Sequence, residues 1–198
     1  MSDLLNPLQS LISQASQLQD SGAAKKYQQR VFPSAKQKAG SSKILLLDIS
    51  GSMGEYVSDY YGGRRKIEIL QNAIAPIARH YEILAFSSDT QWIKCGILPE
   101  PCGGTAMHLA LAVAAEVRPA QTLVVSDGHP DDEKAALATA KRLTGTISTL
   151  YIGSDSDNKA IEFMRKLARL GCGQADVMEL SLGAGLLQEK VQKLLPYP

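Results

Sequence analysis

The chain predicts an α/β domain on a doubly wound, mostly parallel six-stranded sheet of order 3-2-1-4-5-6, with helices on both faces and one antiparallel edge strand. Three observations carry this prediction. From residue 43 onward, short apolar runs alternate with longer helical patterns. The first run, Ile44-Leu45-Leu46-Leu47, is continuous, as expected of a parallel strand buried on both faces. The link Ser88-Asp89-Thr90 is hairpin-sized, which makes one strand pair antiparallel and puts its second member at an edge.

In chain order, Leu4, Leu8, Leu11, Ile12, Ala15 and Leu18 fall on one helical stripe, with Asn6-Pro7 opening that helix and Ser21-Gly22 ending it. Residues 21–47 carry six basic side chains (Lys25, Lys26, Arg30, Lys36, Lys38 and Lys43) and no acidic one. Residues 1–40 therefore read as an N-terminal amphipathic helix and basic arm, and 41–198 as the α/β domain. The arm either meets an acidic partner or nucleic acid, or is a solvated linker. The first strand ends at Asp48. A helix follows near Lys66–Arg79, where Pro76 should shorten or kink it. Strands are expected at Tyr81–Phe86 and Gln91–Cys95, a helix at Thr105–Val117 and a strand at Gln121–Ser126. His129-Pro130-Asp131-Asp132-Glu133 sets proline and acids at the positive end of the next helix. A strand at Thr146–Gly153, a helix at Asn158–Leu170 stopped by Gly171, a strand at Asp176–Leu180 and a helix near Ala184–Leu195 complete the pattern.

At 198 residues the chain buries about 70% of the surface its unfolded form exposes, so it needs no metal or disulfide merely to fold. Its net charge of +1 argues against a surface built to coat nucleic acid or an acidic membrane. No apolar run approaches the ~20 residues of a membrane span. Met1-Ser2-Asp3 lacks the features of a signal peptide. Cys95, Cys102 and Cys172 are an odd number without zinc-type spacing, which fits a reducing compartment, the cytoplasm. Cys102, before a Gly-Gly-Thr loop, reads as a small filler in a tight turn.

Doubly wound sheets bind ligands outside the carboxyl ends of their strands, where the winding reverses. Here that point lies between the first and fourth strands, whose ends carry Asp48 and Asp127. In Asp48-Ile49-Ser50-Gly51-Ser52, alternate residues of a tight loop turn to one side. They offer a carboxylate and two hydroxyls, hard oxygens that suit Mg²⁺, Ca²⁺ or Mn²⁺. The same residues could instead cap a helix.

The stretch Lys43–Gly54, with its strand, Asp-x-Ser-x-Ser, Met and Gly, resembles the von Willebrand factor A (vWA) domains and their metal-ion-dependent adhesion site. That family adds a threonine from a Gly-rich loop and an aspartate at the end of the fourth strand. Gly103-Gly104-Thr105 and Val124-Val125-Ser126-Asp127-Gly128 match the two. The resemblance covers about residues 43–195 and suggests a cytosolic bacterial-type member. It implies that Ser50, Ser52 and Thr105 touch a metal, Mg²⁺ or else Mn²⁺ or Ca²⁺. It also implies that Asp48 and Asp127 act largely through bound water. An Asp or Glu carboxylate of another protein would complete the coordination. Cytosolic relatives serve as adaptors for AAA-type ATPases or as subunits of larger complexes, and adhesion members shift their last helix on binding. In this chain Gly183 and Gly185 could hinge that helix, which otherwise simply closes the sheet.

Beside the motif, Tyr56, Tyr60, Tyr61, Arg64 and Arg65 form a segment of interface-type composition. Enzyme readings are weaker. Ser50-Gly51-Ser52-Met53-Gly54 nears a nucleophile elbow, yet the only histidine after Asp127 is His129, too close in sequence to supply a separate base. An Asp-x-Asp phosphatase would need a carboxylate where Ser50 stands. The expectation is a non-catalytic, metal-dependent protein-interaction module, with a nucleic-acid scaffold as the alternative.

Overall fold

The computed structural model describes residues 42–57 and 63–197. The predicted N-terminal helix and basic arm lie outside them, as do Tyr60 and Tyr61. Among the described residues six strands form one sheet: β1 (Lys43–Asp48), β2 (Glu82–Phe86), β3 (Thr90–Ile93), β4 (Gln121–Ser126), β5 (Thr146–Tyr151) and β6 (Cys172–Val177). Their order is β3-β2-β1-β4-β5-β6, and only the β2–β3 pair is antiparallel. The helices are α1 (Lys66–Ile74), α2 (Met107–Val117), α3 (Glu133–Ala140), α4 (Asn158–Leu170) and α5 (Ala184–Leu194).

The apolar run of β1 supplies both cores, because successive side chains point to opposite faces. Leu45 and Leu47 pack with Ile69, Leu70 and Ile74 of α1 and Leu187 and Val191 of α5. Ile44 and Leu46 pack with Met107 and Leu111 of α2, Ala136 of α3 and Phe163 and Met164 of α4. A strand enclosed this way leaves only its ends near solvent, so functional groups must sit there. β1 pairs in parallel with β2 on one side and β4 on the other, which brings the ends carrying Asp48 and Asp127 side by side.

Several boundaries differ from the sequence expectation. Helix α1 stops at Ile74, two residues before Pro76, because proline cannot donate to the helical ladder. Helix α2 begins at Met107, which leaves Thr105 and Ala106 in the loop before it. The last strand is Cys172–Val177 in place of Asp176–Leu180. The chain reverses straight out of α4 through Gly171 and Cys172 (φ 53°) and pairs with β5 at once. As an edge strand it is mostly exposed, so its apolar content is low and the pattern did not reveal it. Met178 and Leu180, which suggested the later strand, are core residues of the turn that follows.

Helix α5 has unlike ends. Around Gly183 (φ 90°) and Gly185 there is open space. Its far end is anchored. The buried Tyr81 hydroxyl donates to Leu195 O at 2.7 Å, and Tyr197 stacks on His80 with ring centroids 3.9 Å apart. The Lys43 ammonium donates to Pro196 O, and Gln192 bonds the Tyr197 hydroxyl. Among the described residues, no helix is long and apolar enough to cross a membrane.

Candidate metal centre

The site is built from three loops. After β1 the chain makes a 3₁₀ turn, Gly51–Gly54, whose Met53 is fully buried in the core shared with α1. That side chain pins the turn and aims Ser50 and Ser52 across the end of the sheet. The second loop passes along the first: Cys102 N donates to Ile49 O at 3.0 Å, and Gly51 N to Gly103 O at 3.0 Å. Gly103 has φ +72°, and a Cβ there would lie 2.5 Å from Ser88 Oγ. A Cβ on Gly104 would lie 2.6 Å from Asp131 Oδ2. Close approach thus favours glycine at both positions, and at Gly103 the backbone angle does so as well. The third loop, after β4, carries Asp127 and Asp131.

Four of the five predicted metal-site residues are joined by side-chain hydrogen bonds. Asp48 Oδ1 accepts from Ser50 N at 2.8 Å. Ser50 Oγ lies 3.1 Å from Ser52 Oγ, and Ser52 Oγ donates to Asp127 Oδ1 at 2.8 Å. The fifth, Thr105, is buried and is held by Asp131 instead of by the other four: Thr105 N donates to Asp131 Oδ2 at 2.9 Å, and Asp131 N to Thr105 O at 3.0 Å. Ala106 N donates to Ser87 O at 2.7 Å, which holds the residue in its loop and out of α2.

The two carboxylates live in different surroundings. Asp48 is fully buried. Burial pushes its pKa up from 3.8 to about 6, although hydrogen bonds from Ser126 Oγ (2.5 Å) and Ser50 oppose the rise. Asp127 instead has a full countercharge, since Lys66 Nζ lies 2.7 Å from its Oδ2. The same ammonium lies 2.8 Å from Glu55 Oε2. Burial works against the lysine's charge, but its bonds to Asp127 and Glu55 outweigh that and hold its pKa above the usual value.

This donor set fits a hard divalent cation. It offers two carboxylates and three hydroxyl oxygens, and one carboxylate is held in a setting that penalises its own charge. Among the described residues no three His, Cys, Asp or Glu side chains cluster, so nothing here resembles a zinc cage. A cleft of about 400 Å³ lined by Tyr56, Lys66, Gly153 and Glu179 opens beside the site.

The predicted contact residues divide. Tyr56 is 65% exposed, and Arg64 is exposed. The Arg65 guanidinium is committed within the chain, at 2.7 and 3.3 Å to Glu100 and 3.0 Å to Glu68. Cys102, expected as a filler, is exposed, because its loop packs through backbone bonds and leaves the thiol in solvent. Three residues that organise the site carry no site signal in the sequence: Lys66, Ser126 and Asp131. Lys66 reads only as the start of a helix, Ser126 as the end of a strand and Asp131 as an acid at a helix start.

No family model and no curated protein matches the sequence. Among solved structures, the chain is similar to a von Willebrand factor type A protein from Catenulispora acidiphila, with a TM-score of 0.62 and 16% identity. The alignment covers 79% of this chain and 42% of that one, so the chain spans less than half the length of its structural neighbour. With the strand order and helix placement above, that similarity establishes the fold: the described residues form a von Willebrand factor A-like α/β domain.

Proposed function

We propose that this chain is a metal-dependent protein-interaction module, a binding protein and not an enzyme. One observation carries the reading: Asp48, Ser50, Ser52 and Asp127 are linked by hydrogen bonds at the point where the sheet reverses its winding. In this reading Ser50, Ser52 and Thr105 hold Mg²⁺, with Mn²⁺ or Ca²⁺ as substitutes, while Asp48 and Asp127 balance its charge. When bound, the cation supplies an electrophilic centre for an Asp or Glu carboxylate of a partner protein. The chain's own residues keep that centre in place. Met53 anchors the β1 loop, Gly51 N and Ile49 O hold the Gly-Gly-Thr loop against it, and Asp131 ties that second loop to the one after β4. Exposed Tyr56 lines the cleft beside Lys66, and with exposed Arg64 it is of a residue type favoured at protein surfaces. AAA-type ATPases and subunits of larger assemblies are the partner classes to try first.

Calorimetric titration with Mg²⁺ and Mn²⁺, and pull-downs with and without chelator, test the reading together. One-site binding is expected, with the protein folded in EDTA. Asp48→Ala and Thr105→Ala should remain folded by circular dichroism and lose both the metal and the captured partner. Indifference of the wild-type protein to Mg²⁺ and Mn²⁺ would overturn the proposal.

A further inference from the structure

We propose that Lys66 is a tethered counter-cation of the metal centre and sets the Mg²⁺ concentration at which the centre fills. This rests on the metal-binding reading above, but its observations are separate. Lys66 is the first residue of α1, and its side chain is only 18% exposed. Its ammonium donates at 2.7 Å to Oδ2 of Asp127, a side chain that is 1% exposed. The other oxygen of that carboxylate accepts from Ser52 at 2.8 Å. A hydroxyl expected to hold the metal and an ammonium therefore share one buried carboxylate.

An ammonium has three donors and no acceptor, so it cannot ligate a cation; it can only compete for the same negative charge. Two cations close to one buried carboxylate repel strongly, because little water lies between them to screen the field. Lys66 also has a second seat. Glu55 Oε2 lies 2.8 Å from the same nitrogen, and Glu55 is mostly exposed. The main chain keeps that seat in reach, since Lys66 N donates to Glu55 O at 3.0 Å. An incoming cation can thus push the ammonium off Asp127 toward Glu55 without moving the helix. The cost of that displacement lowers affinity, and the site fills only when the ion is abundant.

The test uses the full-length protein at one pH and ionic strength. Mg²⁺ titrations compare wild type with Lys66→Met, which keeps the length of the side chain and removes its charge, and with Lys66→Arg, which keeps the charge. Melting curves confirm that each variant is folded. Lys66→Met should bind Mg²⁺ at least ~10-fold more tightly, while Lys66→Arg stays within about threefold of wild type. A second measurement needs no variant. Acylation of Lys66 in the wild-type protein, followed by mass spectrometry, should accelerate several-fold when Mg²⁺ is added, and it decides the matter if Lys66→Met does not fold. If wild type binds Mg²⁺ but Lys66→Met binds equally or more weakly, the counter-cation idea fails and the metal reading stands. Lys66 acylation that Mg²⁺ leaves unchanged or slows has the same meaning. If neither protein binds Mg²⁺, both readings fall.

Discussion

The ends of β1 and β4 each deliver one aspartate to the same spot, and they keep it there by different means. At the end of β1, Asp48 is sealed from solvent and answered only by neutral donors, Ser50 N and Ser126 Oγ. At the end of β4, Asp127 is answered by an ammonium and a hydroxyl. Dipoles offset a buried charge only in part, whereas a countercharge within hydrogen-bond reach can offset most of it. The difference shows how one site can hold two carboxylates a short distance apart. One is paired inside the chain. The other remains the more costly charge, and it is the one a bound cation would relieve.

The largest test of this contrast is Asp48→Asn in metal-free protein. The folded pKa of Asp48, about 6, lies above its ordinary 3.8. Its contribution to stability is therefore fully present below about pH 4 and is lost as pH rises through about 6. Above that, holding the group ionised costs about 3 kcal/mol. Asp48→Asn should raise metal-free stability by up to that amount at pH 8 and change it little at pH 4. Urea unfolding at the two pH values reads the difference. A variant that is less stable at pH 8 would mean that the neutral donors already compensate the charge.

The opposite outcome is expected at β4. Asp127→Ala leaves the ammonium of Lys66 half buried with only Glu55 as partner, and should destabilise the protein by about 2 kcal/mol. That is less than a fully buried pair would lose, since Lys66 keeps some solvent. If Asp127→Ala and Asp48→Asn shift stability in the same direction at pH 8, the two strand ends are not held differently and the comparison breaks.

The smallest effect should come from a distant control. Tyr81→Phe removes the hydroxyl that donates to Leu195 O and should cost about 1 kcal/mol by thermal melt. On the metal-binding proposal Mg²⁺ affinity should not change, because the anchored end of α5 lies at the start of β2, at the opposite end of the strands from the candidate metal centre. A clear change in affinity would instead reveal coupling between the last helix and the site, which must act in both directions.

How much of this was legible beforehand varies from residue to residue. The run Ile44–Leu47 is enough to call for a strand enclosed on both faces, and Gly171 for the end of α4. Asp-x-Ser-x-Ser at the end of that strand locates the β1 loop, and Gly103-Gly104 marks a close backbone approach. β6 was misplaced because an edge strand needs only one paired side and can be polar elsewhere. The pattern of apolar residues followed the core, and at that edge the core and the strand are different stretches of chain.

The sequence by itself determined the alternation of elements, the buried central strands and the Asp-x-Ser-x-Ser loop, and the resemblance to vWA domains completed the five oxygen-bearing residues of the candidate site. Those rest on local periodicity and on short motifs. Only the tertiary structure decided which neighbours those residues have. Lys66 reaches Asp127 across 61 positions of chain, Ser126 reaches Asp48 across 78, and Asp131 reaches back 26 to hold Thr105. The first two contacts depend on the pairing of β1 with β4 and the third on the loop before α2 meeting the loop after β4, and each gains strength where burial has removed competing water. A periodicity of two or 3.6 residues carries no information about partners that far apart.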